Sequence, residues 1–127
     1  MSNIRHTVVV RKDLNLPVGL LAAQTTHIAM EFIRDKIDAQ LKVSEFSGME
    51  KEWIKDPYVS VLGVNCSEDL DSIIDHAEAK NLPCHIWEDT IPSPTFPDRD
   101  IKICVGCSIG PADFDKIKVV TGAFNLY

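Results

Sequence analysis

Residues 6–37 read His6-Thr7-Val8-Val9-Val10-Arg11, then Lys12-Asp13-Leu14-Asn15-Leu16-Pro17-Val18, then Gly19-Leu20-Leu21-Ala22-Ala23-Gln24-Thr25-Thr26-His27-Ile28-Ala29-Met30-Glu31-Phe32-Ile33-Arg34-Asp35-Lys36-Ile37. The first six form a β-branched run compatible with a buried strand. Asp13 to Pro17 break that pattern with turn residues. Pro17 suits the first turn of a helix, where a missing N–H costs nothing, and Gly19 permits close backbone approach. From Gly19 to about Ile37 the apolar spacing is helical: Leu21, Ile28 and Phe32 recur at seven and four, with Met30 and Ile33 beside them. A strand running directly into a helix that lies on a sheet opens an α/β domain.

Working outward, residues 38–56 are more charged and are interrupted by Ser47-Gly48. This segment reads as an insertion or an extra helix, with Met49 to Ile54 as the helical part and Trp53 as its anchor. Tyr58 to Val64 reads as a second strand. Ser67-Glu68-Asp69-Leu70 starts a helix with Ser67 as cap, acids at its positive end, and Leu70, Ile73, Ile74 and Ala77 as the apolar stripe. Asn81 and Pro83 end it. Cys84 to Trp87 is a third strand, and residues 90–98, with Pro92, Pro94 and Pro97, read as a loop. Ile101 to Ile109 is a fourth strand, and Pro111 to Ile117 opens a final helix. Residues 1–127 thus form one α/β domain with a mainly four-stranded sheet.

The composition agrees. At 127 residues, 45% apolar and 25% charged, the chain has room for one core. A chain of this size buries roughly two thirds of its unfolded surface without disulfide or metal staples. The longest apolar runs, Val8 to Val10 and Leu20 to Ala23, are too short to span a bilayer. Met1 to Arg5 lack the apolar stretch of a secretory signal, so a cytoplasmic protein with reduced thiols at Cys66, Cys84, Cys104 and Cys107 is expected. Cys104 and Cys107 are spaced like a redox or zinc pair. On a regular strand, however, residues three apart face opposite ways, and no second half-site completes zinc. No metal is expected. Thirteen basic against nineteen acidic residues give a formal charge of −6, which argues against non-specific coating of nucleic acid though not against a local basic patch.

In open α/β sheets ligands bind beyond the carboxyl ends of strands. Two loops qualify: Asp13 to Gly19, and Glu88 to Pro97. Leu20, Gln24 and His27, spaced by four and three, share one face of the first helix. His27 is the histidine placed to act as a general base; a structural histidine bonded to a backbone carbonyl is the alternative. Asp89, at the end of the third strand, is positioned to orient His27 or activate water, or else caps a turn; Glu88 is its competitor. His6 is expected to be exposed at a strand start, and His76 on a solvent face. His85 points away from its neighbour Cys84. No dinucleotide, Walker, nucleophile-elbow or His-Glu-x-x-His motif occurs, which removes the common cofactor enzymes from first rank.

Val8 to Leu14, followed by Gly19 to Ala29 with Ala22-Ala23-Gln24-Thr25-Thr26-His27, resembles the opening of type 2 peptidyl-tRNA hydrolases. The likeness continues at Ser67 to Leu70, Leu82-Pro83, Asp89, Ile109-Gly110-Pro111 and Val120-Thr121-Gly122. What the resemblance implies is a three-layer α/β/α fold on a mixed sheet, commonly a homodimer, that hydrolyses the ester joining peptide to tRNA with no organic cofactor. His27 and Asp89 would be catalytic, and Gln24, Asp13, Gly19, Leu20 and Thr95 (or Thr90) would bind substrate. Where the family has a functional lysine, this chain has Leu20, which would leave backbone N–H groups at the start of the first helix as oxyanion donors. A patch built from Arg11, Lys12 and Arg99, or a dimer, would then hold the RNA. The alternative is a non-catalytic relative that binds a protein or small ligand through the same cleft. A third reading is a hydrolase of an ester or amide outside nucleic acid.

Overall fold

The computed structural model describes residues 3–96 and 98–127. Met1, Ser2 and Pro97, read above as part of the unsignalled start and of the proline-rich loop, lie outside the described residues. The elements are β1 (Ile4–Arg11), α1 (Val18–Asp38), α2 (Gly48–Lys55), β2 (Val59–Val64), α3 (Ser67–Ala79), β3 (Cys84–Pro92), β4 (Asp100–Asp113) and α4 (Phe114–Thr121). The four strands form one mixed sheet in the order β2-β1-β4-β3. β1 runs parallel to β2 and antiparallel to β4, which in turn pairs antiparallel with β3.

Strand alternation divides the core into two layers. Val8 and Val10 of β1 pack under α1 with Leu14, Ile28, Ile91 and Val105. Val9 points the other way, into a cluster with Leu70, Ile73 and Ala77 of α3 and Ile117 of α4. β1 is therefore covered on both faces, which is why its Val-Val-Val run shows no polar alternation. Helices on both sides of the sheet make the three-layer α/β/α arrangement.

Segment 38–56 holds a true helix rather than a structureless insertion. Ser47 Oγ accepts from Glu50 N at 3.1 Å while Glu50 Oε1 accepts from Ser47 N at 2.7 Å, a reciprocal cap. Lys36 of α1 pairs with Glu50 at 3.3 Å, and Trp53 donates its indole N–H to Tyr58 O at 2.9 Å. Trp53 then packs on Ile4 and Phe32 beneath α1.

Several expectations are corrected. His6 is fully buried, because a central strand under both α1 and α2 leaves no exposed end: its Nε2 lies 2.9 Å from Ala29 O and its ring meets Phe32 and Trp53 edge-on. Burial lowers its pKa to about 4, so the ring is neutral near pH 7. Cys66, not Ser67, occupies the N-cap of α3, without a side-chain cap bond. β3 continues past Asp89 to Pro92, since an edge strand tolerates proline on its unpaired side. β4 continues through Pro111 and Ala112, held by pairing with Ile4 and Arg5, so the last helix starts only at Phe114.

Cys104 and Cys107 do not face opposite ways. Trp87 pairs with Gly106 but Glu88 pairs with Cys104, which leaves Val105 as the extra residue of a bulge. The bulge returns both cysteines to the α3 side, Cys107 buried and Cys104 packed against the same cluster. All four thiols are free. Cys84 and Cys107 lie in the same cluster, where the interaction of their sulfurs moves the Cys84 thiol down and, with burial, the Cys107 thiol well up. His85 does point away from Cys84, toward α1, where its Nε2 lies 3.2 Å from Asp35 Oδ2. His76 is exposed on α3, as read.

Candidate active site

The site is built where α1 crosses the outer half of β3. The helical repeat puts Gln24 and His27 one turn apart on the side facing β3, and the strand period puts Trp87, Asp89 and Ile91 on the side facing α1. Gln24 is buried at 2% exposure, which obliges its amide to find partners at both ends. Its Nε2 donates to Asp89 Oδ2 at 2.8 Å, and its Oε1 accepts the Trp87 indole N–H at 2.6 Å. The second oxygen of Asp89 accepts from Thr90 N at 2.8 Å. The exposed His27 ring lies flat on Trp87, with centroids 4.9 Å apart and planes 9° from parallel. Imidazole, indole, amide and carboxylate thus form one connected row.

The electrostatics follow from those bonds. The Gln24 hydrogen bond holds the Asp89 carboxyl below its usual pKa, helped by the Thr90 N–H and by attraction to His27, against a smaller desolvation. Asp89 is an anion at neutral pH. It is near enough to His27 to feel its charge, yet no hydrogen bond joins the two among the described residues. The ring is oriented by Trp87, not by Asp89 as expected. Gln24, expected to bind substrate, has both polar ends occupied and holds Asp89 and Trp87. Sequence reasoning missed Trp87. The available signal was an indole two residues before Asp89, on the same face of a strand, with an N–H that needs a partner when buried.

The remaining site residues lie nearer the start of α1. Leu20 lines an apolar pocket of about 240 Å³ with Leu14, Leu16, Pro17, Pro92 and Pro94, and no charged side chain reaches its lining among the described residues. Gly19 stands in open space, with nothing within 4 Å of where a Cβ would sit. Pro17 gives α1 no side-chain cap, so the first amides of the helix are left without intrahelical partners. Asp13 is bound to Arg11, with Nη2 at 2.7 Å and Nε at 3.1 Å. Thr95 is exposed in the turn after β3, its N–H donated to Ser93 Oγ at 3.2 Å. Thr90 alternates to the face opposite Asp89. Glu88 also faces away, toward Cys104.

Arg11, Lys12 and Arg99 do not form one patch. Arg11 is held by Asp13, Lys12 lies against Tyr127 beside β2, and Arg99 lies over Phe96 in the β3–β4 turn at the other edge of the sheet. Among the described residues no three His, Cys, Asp or Glu side chains are grouped to hold a metal ion. No helix there is long and apolar enough to cross a membrane.

With this geometry in hand, known proteins place the chain. A solved structure of a protein of unknown function from Agrobacterium tumefaciens is similar over 100% of this chain and 99% of its own, with TM-score 0.61 at 14% identity, a likeness of fold. The class is therefore a small α/β/α domain. The sequence profile described as "Peptidyl-tRNA hydrolase PTH2" matches residues 4–127. Relatives named peptidyl-tRNA hydrolase include one from Metallosphaera sedula, 30% identical over 97% of this chain and 99% of its own length. Another, from Methanocaldococcus jannaschii, is 28% identical over 97% and 99%. The chain belongs to the PTH2 peptidyl-tRNA hydrolase family.

Proposed function

We propose that this protein is a peptidyl-tRNA hydrolase that frees a peptide from tRNA by water attack on the joining ester, with His27 and Asp89 as its catalytic pair and residues 1–127 acting as one unit. The support is the connected row of His27, Trp87, Gln24 and Asp89 in a chain that matches the family from residue 4 to 127. The exposed imidazole takes a proton from water as the water oxygen bonds to the ester carbonyl carbon. Two features of this site favour the imidazolium that results: the π-face of Trp87 and the negative charge of Asp89. The uncapped N–H groups at the start of α1 lie roughly 10 Å or more from His27 along the helix, too far to serve as oxyanion donors for a water that His27 activates. When the carbon–oxygen bond to the ribose breaks, the imidazolium returns the proton to the leaving hydroxyl. The products are a peptide acid and tRNA.

In this reading Gln24 is a positioning residue and the Leu20 pocket borders the acyl side of the substrate, with Gly19, Asp13 and Thr95 around it. A homodimer and a cytoplasmic location belong to the same proposal; sedimentation of twice the chain mass would support the first. The deciding experiment is peptide release from peptidyl-tRNA by wild type and His27→Ala. Loss of about two to four powers of ten in kcat is expected. Equal rates would remove His27 from the reaction.

A further inference from the structure

The row of site residues runs on into an apolar pocket. His27 stacks on Trp87, Gln24 bonds both Trp87 and Asp89, and Leu20 shares the pocket with Pro92. Residue numbers fall along α1 as they rise along β3, so these are successive steps of one line between helix and strand. From His27 back to Leu20 is about 10 Å along the helix axis.

The pocket holds about 240 Å³. That is below the roughly 300 Å³ at which sites for whole small molecules begin, and it suits a single side chain. Leu14, Leu16 and Leu20 line it with Pro17, Pro92 and Pro94. The prolines bring no N–H and have little freedom to lose on binding. Ser93, the buried polar member of the lining, has an Oγ that already accepts from the N–H groups of Thr95 and Phe96. Asn15 completes the lining and is exposed. No charged side chain reaches the lining among the described residues. A phosphate would lose its hydration there without a counter-charge, and a base would bury its polar edge unpaired. Of the two parts of a peptidyl-tRNA, the peptide is the one that supplies an apolar group of this size.

We propose that this pocket sets specificity for the peptide and takes an apolar side chain at the second or third residue back from the ester. The inference rests on the hydrolytic reading and deepens it. An extended peptide covers about 3.5 Å per residue, so side chains at those two positions span the distance from an ester at His27. The test gives the full chain acetylated tripeptidyl-tRNAs with Leu, Ser or Asp at the second or third residue and Ala elsewhere. Leu at one of these positions should raise kcat/KM about tenfold or more over Ser, and further over Asp. Leu20→Lys should abolish or reverse the preference for Leu over Asp, and Pro94→Asp, at an exposed lining position, should weaken it. Equal kcat/KM for all three residues at both positions overturns the proposal and leaves hydrolysis standing. A Leu preference unchanged in both variants overturns it too. If no ester is cleaved the hydrolytic reading fails, and the pocket is then judged without turnover. The methyl NMR signals of Leu14, Leu16 and Leu20 should shift saturably with acetyl-Ala-Leu-Ala or acetyl-Leu-Ala-Ala, and not with the Ser counterparts. Absence of such shifts up to about 10 mM peptide overturns the proposal.

Discussion

Gln24 is the side chain on which the site turns. Removing it takes away the strongest influence on Asp89 and strands the Trp87 N–H in a half-buried place, which costs about 1–3 kcal/mol where water cannot substitute. In Gln24→Ala the Asp89 pKa should therefore rise toward that of an ordinary aspartate, visible in a carboxyl-carbon NMR titration, and kcat should fall more than KM changes. An unmoved Asp89 titration would show that the amide does not set its charge. His6 gives a second prediction. Its folded pKa of about 4 lies below the unfolded value of 6.5, so the unfolded chain takes up a proton that the folded chain refuses. The stability associated with the neutral ring is intact above pH 6.5 and is lost as pH falls toward 4, by about 3 kcal/mol. Urea midpoints at pH 7 and pH 4.5 should converge in His6→Phe relative to wild type. At this scale the sequence was partly readable. The spacing of Gln24 and His27 is local and survives into the fold, whereas the choice of Gln24 over His27 as the partner of Asp89 depends on Trp87, which lies 63 residues from Gln24 in the chain.

Among the elements, β1 and α1 are the most legible because each carries a single unbroken period. α2 is legible once its caps are recognised. Trp53 anchors it, so Trp53→Ala should cost about 3–5 kcal/mol, and Ser47→Ala about 1 kcal/mol. Hydrogen exchange over Gly48–Lys55 should quicken in both variants; exchange unchanged in Trp53→Ala would mean that other contacts hold the helix. The misread stretches are those where pairing overrides local chemistry. Pro92 reads as a breaker but lies on an edge strand, where its missing N–H is not called upon. The bulge at Val105 is marked in the sequence only by Gly106 beside it, a glycine inside a strand, and it decides which way Cys104 faces.

For the whole molecule, charge sets how RNA can be held. The chain is net negative, Arg11 is engaged by Asp13, and Lys12 and Arg99 stand at opposite edges of the sheet. These three cations can then neutralise few phosphates together, in contrast to the single basic patch expected from sequence. With about two contacts, affinity for peptidyl-tRNA should fall only about tenfold between 50 and 200 mM salt, against a thousandfold or more for six to ten contacts. A steep slope in KM would mean that cations from a second copy complete the RNA surface.

The sheet order has its own bearing on how the protein is made. β1 occupies the interior of the sheet, yet one of its neighbours is β4, which joins Asp113 to Ile4. During translation the Val8–Val10 ribbon must therefore leave the ribosome with a bare flank and wait for nearly all the remaining chain to follow. Closing so long a loop is slow, and the waiting ribbon is the part of the nascent chain most in need of a chaperone.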